Sequence, residues 1–184
     1  MKKPREAKRM SDNSVEERTG KAWAQWFKIL DKAGAKKWRH KEIAWYLYEK
    51  YHVSEWWAQM VSVGYERERG LREKFQNCAG EFSANCSRTF GVPAARMYKA
   101  WTNEKSRRRW LPSAKMEITT ARPEKSLRAK WAGDTRLSVY FNGRPGGKTQ
   151  VAVDHMKLAS SKESLKMKSY WSSALHRLEK ILQD

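Results

Sequence analysis

The sequence predicts an α+β fold in two parts: a three-helix module, then a curved antiparallel sheet around a long C-terminal helix. Three observations predict it. Six of the ten tryptophans, Trp23, Trp26, Trp38, Trp45, Trp56 and Trp57, crowd a segment whose apolar residues recur at helical spacing. From Phe82 onward the apolar period changes to two, the spacing of half-buried strands. The chain ends in a stripe of Met167, Trp171, Ala174, Leu175, Leu178 and Leu182, one continuous helical face suited to lying across a sheet.

Residues 1–13 read as a disordered basic tail, with Pro4 among charges and no apolar run. Residues 14–76 form the Trp-rich module. Ser14 opens a short acidic segment, and from Thr19 the residues Ala22, Trp23, Trp26, Phe27 and Leu30 fall on one face, with Gly34 as the stop. A second helix runs from Arg39 to Tyr51, with Ile43, Tyr46, Leu47 and Tyr51 inward and Ala44 and Trp45 widening the stripe. His52 and Val53 break it. Ser54 is expected to cap a third helix whose inner side carries Trp57, Met60, Val61 and Gly64, continuing over Tyr65–Phe75 with a bend at Gly70.

Asn77–Gly80 is the linker, and residues 81–184 form the second domain. Phe82, Ala84 and Cys86 alternate with Ser83, Asn85 and Ser87 as a first strand. After the turn at Gly91–Pro93, a helix carries Met97, Tyr98 and Trp101. Four alternating segments follow. Their apolar faces are Met116 and Ile118; Leu127, Ala129 and Trp131; Leu137, Val139 and Phe141; and Val151, Val153 and His155. Arg128 and Lys130, then Arg136 and Ser138, lie opposite. The connections carry turn residues, including the Asn142–Gly147 glycine cluster, which reads as a hairpin because it lacks the spacing of a phosphate loop. A final helix begins near Ser161.

Charge and composition narrow the function. The net charge is +19, with 18 basic against 11 acidic side chains in residues 1–80 and 21 against 9 in residues 81–184. That balance favours weak binding to nucleic acid or another polyanion. No stretch approaches a membrane span, and no apolar run follows the basic N-terminus, so neither membrane insertion nor a secretory signal is expected. Cys78 and Cys86 lack metal-ligand spacing and read as reduced thiols of a cytoplasmic protein, with no metal and no cofactor. His40, Lys41 and Glu42 lack the second histidine of a zinc-protease helix, and no G-x-S-x-G elbow occurs, so no enzyme is expected.

Two resemblances attach to particular residues. Residues 19–72 contain W-x-x-W-F, A-G-A, H-K-E-I-x-x-Y-L, W-W-A-Q-M-V and Y-E-x-x-R-G, and resemble a bacterial domain of unknown function. Residues 82–182 contain P-A-A-R-M-Y-K-A-W-T, R-W-L-P, V-A-V-D-H-M-K-L and M-K-x-Y-W-x-x-A-L-x-x-L. They resemble the START-like (SRPBCC) superfamily, and within it the C-terminal domain of the activator of heat-shock-protein-90 ATPase. That resemblance implies a helix-grip domain, often with an apolar ligand between sheet and helix. Five strand candidates imply a shortened version with a smaller cavity.

The leading expectation is a non-enzymatic binding protein holding a small apolar or aromatic ligand. Trp110, Trp131, Phe141, His155, Tyr170 and Trp171 would line the site, because the inner strand positions and the helix stripe converge there. His155 also reads as a hydrogen-bonded core histidine. Trp45 and Trp56 lie off the main apolar stripes and are expected to be the exposed pair. Together with Gln59, whose amide can pair with adenine, and the basic run Arg107, Arg108 and Arg109, they are the candidates for polyanion or partner contact. The helices flanking His52 have helix-turn-helix proportions, yet Ser54–Gly64 contains no Lys or Arg. The alternatives are a nucleic-acid-associated regulatory protein, an adaptor related to chaperone co-factors, and a homodimer made through the aromatic surface.

Overall fold

The computed structural model describes residues 10–112 and 115–183, so most of the expected basic tail lies outside the described residues. The chain divides into two compact units, Met1–Lys74 and Phe75–Asp184. Among the described residues no helix is long and apolar enough to cross a membrane.

The described residues of the first unit form four α-helices: α1 (Asp12–Thr19), α2 (Trp23–Lys32), α3 (His40–Tyr51) and α4 (Glu55–Glu68). The extra one, α1, buries only Val15, so it leaves no apolar period in the sequence. Its start is local chemistry: Ser11 Oγ accepts from the Ser14 N–H. Trp23, Trp26, Phe27 and Leu30 of α2 pack with Ile43 and Leu47 of α3 and Val61 and Tyr65 of α4 in one core. Ser54 stands at the start of α4, but its side chain makes no capping bond. The expected extension to Phe75 is not helical. The helix stops at Glu68, and Gly70 then turns the chain at φ +69°, a conformation glycine adopts without strain.

The second unit is α+β. It runs β1 (Phe82–Phe90), α5 (Ala94–Thr102), α6 (Glu104–Trp110), β2 (Glu117–Arg122), β3 (Ser126–Lys130), β4 (Arg136–Arg144), β5 (Lys148–Leu158) and α7 (Ser161–Gln183). The sheet has five antiparallel strands in the order β1-β5-β4-β3-β2. Strand β1 continues past Ser87 to Phe90. The register pairs Leu127 with Val139 and Val139 with Val153, so the apolar side chains of neighbouring strands share one face. Trp171, Ala174, Leu175 and Leu178 of α7 lie in the same core, together with Met97 and Trp101 of α5 and Trp110 at the end of α6. Arg88 of β1 and Glu179 of α7 form an ion pair beside it. Curved antiparallel sheet and long C-terminal helix together make a helix-grip.

Candidate functional site

Three surroundings compete for the role of binding site. The first is the space between the sheet and α7. Trp110, Phe141, His155 and Trp171 are buried there, with Trp131 and Tyr170 half-buried beside them. The rings touch one another: Trp131 and Trp171 have centroids 5.0 Å apart, and Tyr170 lies 5.4 Å from Trp171. Trp110 Nε1 donates to the Ala100 carbonyl at 3.1 Å. The sequence thus brings its six expected ligand residues together in one core, where several of their rings touch. Trp101, which the sequence pattern had not marked as a site residue, sits at the centre. Its ring is 4.7 Å from Trp110 and stacks at 6.0 Å on Trp171, and its Nε1 is buried without a hydrogen-bond partner. It lies on the inner line of α5 with Met97, and that was the available signal.

His155 is tied at both ring nitrogens. Trp171 Nε1 donates to Nδ1 at 3.1 Å, and Nε2 lies 2.8 Å from Thr135 Oγ1, whose own hydrogen goes to the Ala132 carbonyl. This pattern requires the neutral Nε2–H tautomer. Burial holds the imidazole down to about 4. It is a structural histidine with no lone pair to spare.

The second surrounding is the outer face of α3 and α4. Trp45 is 64% exposed and Trp56 57% exposed. Two hollows flank Trp45. One, of about 630 Å³, is lined by Trp38, Lys41, Tyr46 and Glu49 among others; the second, of about 550 Å³, by Tyr48, Glu55, Trp56 and Ala58 among others. Gln59 is already engaged, its Oε1 2.5 Å from His40 Nε2. His40 Nδ1 meets Glu66 Oε1 at 3.0 Å, and Glu66 Oε2 lies 3.0 Å from Arg72 Nε, an ion pair by distance but not aligned as a hydrogen bond. The hydrogen bond to Glu66, against the cost of burial, raises the His40 imidazole above its usual range. Glu42 Oε2 accepts from the Arg39 N–H at 2.6 Å and caps α3. His40 and Glu42 of the H-K-E triplet therefore hold the unit together, while Lys41 is exposed.

Two arginines of the basic run are likewise occupied. Arg107 Nη1 donates to the carbonyls of Trp101 and Thr102 at the end of α5, and Arg108 pairs with Glu104 at 2.6 Å; Arg109 is exposed.

The third surrounding was not singled out in the sequence. Arg122, Arg128, Lys130, Arg136 and Tyr140 all lie on the sheet face opposite α7, as the register from Lys130↔Arg136 to Ser126↔Tyr140 requires. Tyr140 is 44% exposed and stands between shallow hollows, one of about 500 Å³ lined by Arg128, Lys130, Arg136 and Met156 among others, another of about 320 Å³ toward Asn85 and Asp154. Glu117 lies 3.8 Å from Lys130, and burial raises the Asp154 carboxyl while Asn85 donates to it at 3.1 Å. The alternation of Arg128 and Lys130 against Leu127 and Ala129 was the signal for this face. Among the described residues no group of three or more His, Cys, Asp or Glu is placed to hold a metal.

No protein-family model matches the chain, the N-terminal module included, and no curated protein matches it. Solved structures do. A conserved protein of unknown function from Enterococcus faecalis is similar over 65% of this chain and 82% of its own, at 12% identity and a TM-score of 0.50. A protein from Mesorhizobium loti is similar over 55% of this chain and 96% of its own, at 16% identity and a TM-score of 0.49. An HSP90 activator from Plasmodium falciparum is similar over 55% of this chain and 96% of its own, at 19% identity and a TM-score of 0.47. The likeness is one of fold, that of the helix-grip proteins, and it covers about half of this chain.

Proposed function

We propose that this is a non-enzymatic binding protein whose C-terminal unit takes single-stranded nucleic acid on the open face of its sheet. The observation that carries the reading is Tyr140, exposed at the middle of that face with Arg128 diagonally across the β3–β4 register and Arg136 further along its own strand. An aromatic ring amid guanidinium groups stacks bases and neutralises phosphates without reading sequence. Aromatic rings pack against one another between the sheet and α7, which favours binding on the outer face. Asp154 and Glu117 reduce the positive field there.

The test is fluorescence anisotropy of a labelled oligothymidylate titrated with the full chain across a salt series. Affinity should fall with salt, with log K declining by roughly 0.7 per phosphate contact for each unit of log salt. Arg128→Ala with Arg136→Ala should flatten that slope. Tyr140→Ala should weaken binding by roughly tenfold or more at unchanged slope, as loss of one stacked base does. Absence of binding at low salt, or equal binding by all the variants, sinks the reading.

A second reading rests on Trp101. A buried indole N–H without an acceptor suits a small apolar ligand carrying one acceptor oxygen, held between the sheet and α7. Such a guest would have to displace Trp131 or Tyr170 at the rim. Thermal melts with an apolar fluorophore and a panel of aromatic ketones test it, and a Tm unmoved by every compound ends it.

A further inference from the structure

The exposed line on α3 has a polarity of its own. Lys41, Trp45 and Glu49 follow one another at four-residue spacing, so they share one helical face. All three are exposed, and no ion pair joins Lys41 or Glu49 to another described residue. Along this line the charge before Trp45 is positive and the charge after it negative, with Glu42 and Lys50 on the adjoining flank. Trp45 stands as a ridge with a hollow on each flank, and its ring is 6.1 Å from that of Tyr48.

We propose that this face is the contact of a two-fold dimer, with a second copy of the chain as its occupant. A two-fold axis perpendicular to α3 at Trp45 makes the two helices antiparallel. It sets Lys41 beside Glu49 of the partner subunit and Glu49 beside Lys41 of the partner subunit. The same operation places each Trp45 ridge over the hollow flanking the other. A self-complementary surface is what an isologous contact requires, and the Lys–Trp–Glu line is self-complementary only in the antiparallel sense. A polyanion fits this face poorly, because Glu42, Glu49 and Glu55 border the hollows alongside Lys41 and Lys50. The sheet face described above carries the opposite balance. Burying the indoles of Trp45, together with Tyr48 and Trp56, supplies the apolar contact that lone exposed side chains lack.

Sedimentation equilibrium of the full chain over about 1–100 μM tests the proposal, a range that reports micromolar dissociation constants. The expected result is a dimer. Lys41→Glu and Glu49→Lys should each weaken it by about tenfold or more, since each places like charges opposite one another. The double variant should restore it to near the parent value. Trp45→Ala should give monomer. Far-ultraviolet circular dichroism of every variant shows whether α3 is still folded. A parent chain that stays monomeric throughout overturns the proposal. So does a dimer indifferent to all three single changes, or a double variant no tighter than the single ones. An oligonucleotide or another protein that requires Trp45 while the parent remains monomeric also overturns it, in favour of that occupant.

Discussion

Both ring nitrogens of His40 meet oxygen atoms, those of Glu66 and Gln59, whereas His155 accepts from Trp171 and so stays neutral. One imidazole is therefore raised above its ordinary value and the other lowered, and the two contribute opposite pH dependences. The groups facing His40 from α4 and beyond are Glu66, Gln59 and Arg72. The stabilisation from His40 is complete below its unfolded value of about 6.5 and is lost as pH rises through the higher folded value. For His155 the unfolded chain takes up the proton first. Stability falls as pH drops from about 6.5 toward the folded value of about 4, by roughly 3 kcal/mol at the acid limit. Urea midpoints followed by side-chain NMR resonances of each unit should show the C-terminal unit weakening between pH 6.5 and 4. His155→Gln should abolish that acid limb, and His40→Gln should flatten the alkaline one. A limb that survives its own variant refutes the assignment.

At the scale of elements, close approach between α2 and α4 explains a residue that periodicity left unexplained. Gly64 was placed on the inner side of α4, but its reason appears only in three dimensions: a Cβ there would lie 2.3 Å from the Trp23 ring. The same helix is tied to α2 by Tyr65, whose hydroxyl donates to Asp31 at 2.9 Å, and by Arg69, which donates to the same carboxylate at 2.6 Å. The Arg69 bond is the chief reason the Asp31 carboxyl is lowered, while burial first and Asp31 second push the Tyr65 hydroxyl up to about 12. The Y-E-x-x-R-G residues are thus a clamp between helices. Gly64→Ala would gain about 1 kcal/mol of helix propensity against an overpacking cost near the upper end of about 1–3 kcal/mol, so a net loss of about 1–2 kcal/mol is expected from the urea midpoint of the N-terminal unit. An unchanged or raised midpoint would show that the Trp23 ring yields freely. At the same scale the sequence misjudged α4, because Tyr65–Phe75 keeps helical composition past Gly70 while the backbone does not.

At the scale of the whole molecule, each unit closes its own hydrophobic core. One core is built on Trp23, Trp26, Leu30 and Leu47, and the other on Trp101, Leu137, Val153 and Trp171. A fragment spanning 75–184 should therefore keep the dispersed indole resonances that its residues show in the full chain. A collapsed spectrum would mean that the second core depends on the first unit. The positive charge is also unevenly matched by acidic residues. Around Trp45 it is matched by glutamates, and on the sheet face it is concentrated beside Tyr140.

Much of this was legible from local pattern. Period two placed the five strands, a 3.6-residue stripe placed α7, and off-stripe positions marked Trp45 and Trp56 as outward, because backbone geometry ties residue spacing to face. The six aromatic residues expected between sheet and helix do converge there for the same reason. What periodicity cannot carry is how much space is left once they meet. Only the tertiary structure decided that Trp101 packs against Trp110 and Trp171, that His155 spends both nitrogens on Thr135 and Trp171, and that His40 reaches Glu66 across 26 residues of chain. Those outcomes depend on volumes and distances between elements far apart in sequence, which no local spacing encodes. The face of Tyr140 became a surface only when strand register set it diagonally across from Arg128, on the face that also carries Lys130 and Arg136.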